Sequence, residues 1–272
     1  MLINPFIKSI ISPNFLYLVK KIFSRKNRDA GFKKGLKNWQ DALNNSSSYD
    51  TQDVFEKTLS AARLVRDEKA VYERDSVVFD KIQYDYQLLS SLLLIANLQN
   101  RLHLIDFGGA LGTSYRQNKK YLDCLPISKK WAVVEQSEFV RIGINEFQTD
   151  ILSFHDSIFQ VDFDIDAVIM GSSLCYLEKP YKILGEIMKI EPHFILIFRT
   201  PFSNSDIESI SIQQVPNNIY NASYPFWTLS KAKVVMFLSE KYELFEEWND
   251  ELQAYPNKSF GLLFRKKLAI SE

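Results

Sequence analysis

The chain has 272 residues, of which 46% are hydrophobic and 14% aromatic, and its 33 basic and 33 acidic side chains balance to a net charge of zero. Nine glycines and nine prolines exclude a low-complexity protein, and the apolar fraction is large enough for a sizeable core. No apolar run approaches the roughly 18 residues of a membrane span. The two cysteines, Cys124 and Cys175, match no metal or redox spacing and indicate reduced thiols in a cytoplasmic protein.

The first 30 residues are predicted to form a basic amphipathic arm. Residues 1–40 contain nine lysines and arginines but a single acid, Asp29. Residues 15–23 have the apolar and basic pattern of a helix that lies on an anionic membrane surface. A solvated tail, or a helix packed on the folded domain, fits the same pattern. Contact with the inner membrane face through residues 1–28 is therefore one of three interpretations.

Residues 31–100 are predicted to be a helical extension. Helices are expected to start within residues 31–42, to cover residues 49–65 with Asp50 or Thr51 as the cap, and to cover residues 88–98. Between the last two, residues 71–79 combine many charges with aromatic rings. Arg74 in this segment is predicted to reach over a ligand carboxylate. An exposed turn with local ion pairs is an equal alternative.

Residues 101–272 alternate predicted strands and helices, which is typical of a parallel sheet. Strands are expected at residues 102–107, 131–135, 150–154, 164–170 and 193–198, and helices near residues 113–122, 138–147 and 181–190. A helix at 229–238 and a strand hairpin at the sheet edge, formed by 242–248 and 259–265, complete the pattern. Residues 202–227 are polar and aromatic with little periodicity, so this insertion is predicted to be a functional lid.

The stretch at residues 102–114 organises the rest of the chain. A short apolar run reaches Asp106, and three glycines follow at positions 108, 109 and 112. This is the pattern of a buried parallel strand followed by a glycine-rich turn and a helix. Gly108 and Gly109 permit a positive φ and a close approach of a ligand to the backbone. Gly112 allows the helix to pack close to the strand.

An acid at the end of the next strand supports a nucleotide-type site. The apolar run at residues 131–134 ends at Glu135, 23 positions after Gly112, where such folds carry the acid that binds ribose hydroxyls. A tight turn followed by a surface glutamate is the structural alternative. Because open α/β sheets bind ligands at the carboxyl ends of their strands, the site is expected to include Asp156 and Ser172 as well.

Asp106 indicates the charge of the ligand. A carboxylate directly before the glycine loop repels a pyrophosphate, which dinucleotide folds bind at this helix N-terminus, and it suits a cationic ligand. S-adenosylmethionine combines a sulfonium and an ammonium group with an adenosine that suits Glu135. The five-strand core followed by a terminal hairpin also favours a methyltransferase over a dehydrogenase.

Residues 106–115 resemble the first motif of class I S-adenosylmethionine-dependent methyltransferases. More narrowly, the chain is similar to a bacterial methyltransferase family often found with surface-polysaccharide genes, and this likeness extends to residues 72–75, 131–136, 199–201 and 224–227. The resemblance runs from residue 31 to residue 264 and implies an α/β fold with a Rossmann-like, mostly parallel seven-stranded sheet and an antiparallel last strand. Ala110 stands where the wider class prefers glycine, a difference that costs little if its φ is negative.

The predicted cofactor is S-adenosyl-L-methionine, and no metal is expected. The residues predicted to bind the cofactor are Arg74, Asp106, Gly108, Gly109, Gly112, Glu135, Gln136, Asp156 and Ser172. The residues predicted to act in catalysis are His155, Tyr176 and Tyr224. A sugar hydroxyl needs a base within hydrogen-bond reach, and His155 ranks first because histidine titrates near neutral pH. A structural role for His155 is the alternative.

The predicted reaction is O-methylation of a sugar or glycan in surface-polysaccharide biosynthesis, with a small-molecule or glycan acceptor bound by the lid at residues 202–227.

Two other classes of function stay open. One is a non-catalytic scaffold of the same fold in a glycan assembly complex, and the other is an NAD(P)-dependent oxidoreductase, which shares the glycine and acid spacing. No nucleic acid is expected as a partner, because the basic arm lacks a recognised reading motif and the core is acidic.

Overall fold

The computed structural model describes residues 31–47, 52–215, 222–250 and 259–268. The predicted basic arm at residues 1–30 lies outside the described residues, as do the proposed caps Asp50 and Thr51. None of the helices in the described ranges combines the length and the apolar character needed to cross a bilayer.

Twelve strands and seven α-helices lie in the part of the chain that is described. The strands are β1 (Gly31–Lys33), β2 (Tyr72–Arg74), β3 (Val77–Phe79), β4 (Arg101–Phe107), β5 (Ser128–Val134), β6 (Leu152–His155), β7 (Ala167–Gly171), β8 (Phe194–Ser203), β9 (Ser209–Gln214), β10 (Ser223–Ser230), β11 (Tyr242–Asp250) and β12 (Ser259–Lys266). The helices are α1 (Trp39–Asn44), α2 (Gln52–Arg66), α3 (Tyr86–Gln99), α4 (Thr113–Leu122), α5 (Ser137–Glu146), α6 (Pro180–Ile190) and α7 (Lys231–Leu238).

Seven strands form the core sheet, in the order β6-β5-β4-β7-β8-β12-β11. The five strands from β6 to β8 are parallel to their neighbours, whereas β12 is antiparallel to β8 and β11 is antiparallel to β12. This mostly parallel sheet with an antiparallel last strand confirms the predicted fold class. The strand order reverses at β4, and ligands of open α/β sheets bind at such a switch point.

Both faces of the core sheet are covered, as its continuous apolar strands require. In β4, Leu104 packs into the cluster on one face and Ile105 into the cluster on the other, and both side chains are fully buried. Trp131 of β5 is also fully buried, and its ring lies 5.6 Å from that of Tyr115 on α4. This packing holds the carboxyl ends of the central strands together at one edge of the sheet.

Three further strands extend the sheet beyond β8. Strand β10 pairs parallel with the end of β8, β9 is antiparallel to β10, and β1 is antiparallel to β9. Most of the described part of the insertion at residues 202–227 is therefore strand, although its sequence lacks a clear period, and residues 216–221 lie outside the described residues. Residues 31–33 are a strand where a helix was expected to start. The local pattern was misleading because the hydrogen-bond partners are distant: Gly31 pairs with Gln214.

Strands β2 and β3 form a separate hairpin. Its turn residues, Asp75 and Ser76, have φ values of 51° and 65°, as the tight two-residue turns of hairpins require. The hydroxyl oxygen of Tyr72, at the start of the hairpin, accepts a hydrogen bond of 3.1 Å from Nε2 of Gln117 on α4. The hairpin therefore lies against the helix that follows the glycine loop.

Candidate active site

A cleft of about 1020 Å³ opens at the carboxyl ends of the central strands. We call one side of it the loop wall, formed by residues 106–110, Glu135 and Asp156 after β4, β5 and β6. We call the other side the strand wall, formed by Phe32, Tyr176, Gln213 and Tyr224. The volume is at the upper end of the range for small-molecule sites in proteins.

The glycine loop is folded tightly over Asp106. Gly108 has a φ of 73°, and a Cβ atom there would lie 2.6 Å from Cβ of Ser173. A Cβ atom on Gly109 would lie only 2.5 Å from Cγ of Asp106. Both positions therefore require glycine, because a side chain would collide with the protein's own atoms. Of the two, only Gly108 has the positive φ that the sequence pattern allows for.

Asp106 is a buried carboxyl group in the floor of the cleft, with 2% of its surface exposed. Nε1 of Trp131 donates a hydrogen bond of 3.1 Å to its Oδ2 atom. Burial raises the pKa of Asp106 to about 7; the hydrogen bond from Trp131 and the charge of Arg199 counteract this rise, and the charge of Glu135 adds to it. The group therefore changes its charge near neutral pH.

Glu135 is held against the loop by its backbone neighbours. The N–H of Ala110 donates to Oε1 at 3.2 Å, and the N–H of Gln136 donates to Oε2 at 2.9 Å. Burial raises the pKa of Glu135, and these two hydrogen bonds counteract the rise. The side chain lines the cleft beside the glycine loop, which is the position predicted for the acid that binds a ribose.

Several residues that line the cleft have a strained backbone. Ala110, Ser172 and Arg199 have φ values of 49°, 59° and 50°, in the left-handed region that disfavours side chains with a Cβ atom. Ala110 does not meet the condition under which an alanine costs little, because its φ is positive in the turn where its N–H donates to Glu135. Ser172 and Arg199 are linked by a hydrogen bond of 2.9 Å from Oγ to the arginine carbonyl. Strain of this kind is commonly found at functional sites.

The strand wall presents aromatic rings and amides. The hydroxyl of Tyr176 donates a hydrogen bond of 2.7 Å to Oε1 of Gln213. The ring of Tyr176 lies edge to face with those of Tyr224 and Phe226, each at 5.3 Å between centroids. The ring of Phe32 packs in turn on Phe226 at 5.0 Å. This wall combines apolar faces with hydrogen-bonding groups.

The structure brings ten of the twelve predicted site residues to the cleft. These ten are Arg74, Asp106, Gly108, Gly109, Glu135, Gln136, Asp156, Ser172, Tyr176 and Tyr224. Gly112 and His155 do not line it. Gly112 begins α4 at a φ of 86°, and a Cβ atom there would lie 2.9 Å from Cδ2 of Leu152, so its role is in packing. Nε2 of His155 shares a hydrogen bond of 2.9 Å with Oγ of Ser153 on the same strand.

Arg74 fits both interpretations made from the sequence. It lines the cleft, and its guanidinium is also held locally, since Nη2 donates to Oε1 of Gln83 at 3.1 Å and Cζ lies 5.7 Å from the centre of the Phe79 ring. The hairpin that carries Arg74 therefore makes local contacts and also lines the cleft.

The other polar residues that line the cleft include Glu73, Arg199 and Gln213, to which sequence reasoning gave no individual role. Arg199 directly follows the strand predicted at residues 193–198, and the end of a parallel strand is a usable signal in this fold. Glu73 adjoins Arg74 in a segment rich in charges, but nothing local indicates that its side chain is buried. Gln213 belongs to β9, whose pairing was not predicted.

No protein-family model matches the sequence, and no curated protein matches it. Solved structures that resemble the chain include a magnesium protoporphyrin IX methyltransferase from Synechocystis with bound S-adenosylhomocysteine, at 11% identity over 66% of this chain and 83% of that one, with a TM-score of 0.46. An S-adenosylmethionine-dependent methyltransferase from Methanosarcina mazei is 13% identical over 70% of this chain and 100% of that one, also with a TM-score of 0.46. A third is 1,6-didemethyltoxoflavin-N1-methyltransferase from Burkholderia thailandensis, solved with 1,6-didemethyltoxoflavin and S-adenosylhomocysteine. It is 10% identical over 82% of this chain and 93% of that one, with a TM-score of 0.44. All three are methyltransferases, and the likeness concerns the fold alone.

Proposed function

We propose that this chain is an S-adenosylmethionine-dependent methyltransferase that O-methylates a hydroxyl group of a sugar or glycan in surface-polysaccharide biosynthesis. The observation that carries the proposal is the pair of carboxyl groups, Asp106 and Glu135, on either side of the glycine loop in one cleft. This pair suits a ligand with positive charge near one end and ribose hydroxyls at the other.

The charge of the cleft fits this cofactor. Of the described residues that line it, six are acids and two are arginines, which favours a cationic ligand. The acids are Glu73, Asp75, Asp106, Glu135, Asp156 and Glu186, and the arginines are Arg74 and Arg199.

The cleft also contains a polar atom that needs a partner. Oγ of Ser173 is buried beside Gly108 and has no hydrogen-bond partner among the described residues. Buried polar atoms in proteins are usually satisfied, and Ser173 lines the cleft, so a shift of this side chain that brings its hydroxyl to a bound ligand would complete the site.

The chain's own part in the reaction is to orient the acceptor and exclude water. When bound, S-adenosylmethionine supplies an electrophilic methyl group on a sulfonium. Good orientation alone can contribute about 7–11 kcal/mol to such a displacement. Of the three predicted catalytic residues, Tyr176 and Tyr224 line the cleft, so we assign the binding of the acceptor hydroxyl to these two tyrosines. Their rings and the amide of Gln213 suit the faces and hydroxyls of a sugar.

Calorimetric titration with S-adenosylmethionine, S-adenosylhomocysteine and NAD tests the proposal. We expect the first two to bind and NAD not to bind. Glu135→Gln should weaken S-adenosylhomocysteine binding about tenfold or more, because a hydrogen bond to a charged group contributes about 1.5–3 kcal/mol. Glu138→Gln is the matched control, since Glu138 lies in the first turn of α5 and contacts Arg141 at 4.0 Å outside the cleft.

The other outcomes identify the alternatives. Binding of NAD in place of S-adenosylmethionine would indicate the oxidoreductase, and binding of none of the three would indicate the scaffold. If the cofactor binds, incubation with sugars and nucleotide sugars should give a product that is one methyl group heavier by mass spectrometry. Nucleotide sugars and free glycans as separate arms distinguish the two kinds of acceptor.

A further inference from the structure

Helix α4 begins directly after the glycine loop, at the position where dinucleotide-binding folds hold a pyrophosphate. Its N-cap is Gly112, no side chain caps it, and its first turn contains no acid. The positive end of the helix dipole is therefore not compensated by side chains of the helix itself.

The compensating charge comes from the β2–β3 hairpin. Thr113, the first residue of α4, donates a short hydrogen bond from Oγ1 to Oε1 of Glu73. Nη2 of Arg116, one turn further along the helix, lies 3.5 Å from the same carboxylate oxygen. Glu73 is 2% exposed and lines the cleft, so its carboxylate lies beside the first turn of α4, the helix end at which this kind of fold would bind an anion.

Other contacts hold Glu73 in this place. Nη1 of Arg116 donates to the carbonyl of Leu111, and its guanidinium lies 5.4 Å from the centre of the Phe147 ring. The neighbouring Tyr72 is hydrogen-bonded to Gln117. If Glu73 moved away, the largely buried guanidinium of Arg116 would lose its carboxylate partner, which is unfavourable.

We infer that Glu73 is a specificity-determining residue of the donor site, which excludes nucleotides that carry a diphosphate and leaves the site to an adenosine ligand with a cationic tail. A diphosphate at α4 would meet a buried carboxylate of the same sign and would have to displace it from Thr113. The ammonium and sulfonium of S-adenosylmethionine meet no such barrier, and Asp106 on the other side of the loop attracts them. The inference rests on the proposed function, because it concerns the donor of the same site.

The first test uses the unaltered full-length protein. Calorimetry should show that adenosine binds at least about tenfold more tightly than ADP. The reason is that repulsion between the diphosphate and the buried carboxylate of Glu73 should weaken ADP binding by at least this factor. Equal affinities of the two ligands would overturn the inference, and this measurement does not depend on the folding of any variant.

Two substitutions locate the effect. Glu73→Gln removes the charge of the side chain and keeps its shape. The variant should show a preference for adenosine over ADP that is about tenfold smaller, and its affinity for S-adenosylmethionine should also be lower. Glu73→Asp keeps the charge and should retain the preference. An unchanged preference in a folded Glu73→Gln protein, checked by its circular dichroism, would overturn the inference while the unaltered protein still binds S-adenosylmethionine. Failure of the unaltered protein to bind S-adenosylmethionine would instead overturn the proposed function, and this inference with it.

Discussion

The two walls of the cleft are built by different means. The loop wall obtains its shape from backbone conformation, with glycines at positions where a Cβ atom would collide and with carboxyl groups held by N–H donors. The strand wall obtains its shape from side chains on β9, β10 and the short segment at Leu174–Tyr176, whose rings pack edge to face. A backbone-built wall tolerates little change, whereas a wall of side chains can change its specificity by single substitutions. This difference predicts that alterations of the loop wall affect cofactor binding strongly and that alterations of the strand wall affect only the acceptor.

The largest effect is expected for Gly109→Ala. The new Cβ atom would lie 2.5 Å from Cγ of Asp106, so either the loop or the carboxyl group must move. We expect S-adenosylhomocysteine affinity to fall about 100-fold and the free energy of unfolding to fall by about 1–3 kcal/mol, measured by calorimetry and urea denaturation.

Gly185→Ala on α6 is the matched control for Gly109→Ala. Its new Cβ atom would have Cζ of Phe237 as its nearest neighbour, at 3.8 Å. In a helix interior this exchange should stabilise the protein by roughly 0.5–1 kcal/mol and leave binding unchanged. Normal binding by Gly109→Ala would show that the loop wall is not rigid.

The pH dependence of stability and binding should follow the charge of Asp106. Its pKa of about 7 lies above the ordinary value of 3.8, so the folded protein holds a proton that the unfolded chain loses between these values. The contribution of Asp106 to the free energy of unfolding should therefore decrease as the pH rises from about 4 to 7, by up to roughly 1.4 kcal/mol per pH unit, and level off above this range. A cationic cofactor prefers the ionised group, so its affinity should increase as the pH rises through 7.

Asp106→Asn tests this dependence. The amide oxygen can still accept the hydrogen bond of Trp131, but the group no longer titrates, so both pH dependences should become shallower. The raised pKa values of Glu73 and Glu135 leave a slope of the same sign in the variant. The lowered pKa values of His103 and His155 leave one of the opposite sign. Urea denaturation and calorimetry at several pH values measure the two effects. Identical pH profiles for the variant and the unaltered protein would show that Asp106 does not control the charge of the site.

A smaller and more selective effect is expected on the strand wall. Tyr176→Phe removes the hydroxyl that donates to Gln213 and should raise the KM for the acceptor about fivefold to tenfold, the equivalent of one hydrogen bond. S-adenosylhomocysteine affinity should not change. Tyr181→Phe is the control, because the Tyr181 hydroxyl donates to Glu208 away from this cleft. If Tyr176→Phe weakened the binding of S-adenosylhomocysteine as much as the binding of the acceptor, the division into two walls would be wrong.

The two walls also differ in how far the sequence predicts them. The loop wall is encoded locally: the apolar run before Asp106, the glycines after it and the acid at the end of the next strand lie within about 35 residues, and the site of a parallel sheet follows from its strand ends. The sequence therefore predicts that Asp106, Gly108 and Glu135 lie in one cleft, and all three line it. The left-handed conformation of Ala110 was not foreseen, because the hydrogen bond to Glu135 that accompanies it is a tertiary contact.

The strand wall depends on contacts between distant parts of the chain. Phe32 reaches it because β1 pairs with β9, and Tyr224 because β10 pairs with β9. Glu73 is buried because a helix 40 residues later provides Thr113 as its partner. Neither residue propensity nor hydrophobic period contains this information, since both report on neighbours along the chain. His155 illustrates the same limit: it lies at a strand end, but its side chain bonds to Ser153 outside the cleft.

The smallest effect tests the strain in the loop wall. Ala110→Gly should raise the free energy of unfolding by about 1 kcal/mol, because a residue with a Cβ atom pays roughly this amount at a φ of 49° and glycine does not. Asn100→Gly, at a φ of 50° after α3, is the control, and since asparagine tolerates this conformation we expect a gain of only a few tenths of a kcal/mol. Both are measured by urea denaturation. A loss of stability in Ala110→Gly would mean that the Ala110 methyl contributes more through its packing in the loop wall than its backbone strain costs, and hence that this wall, too, depends partly on its side chains.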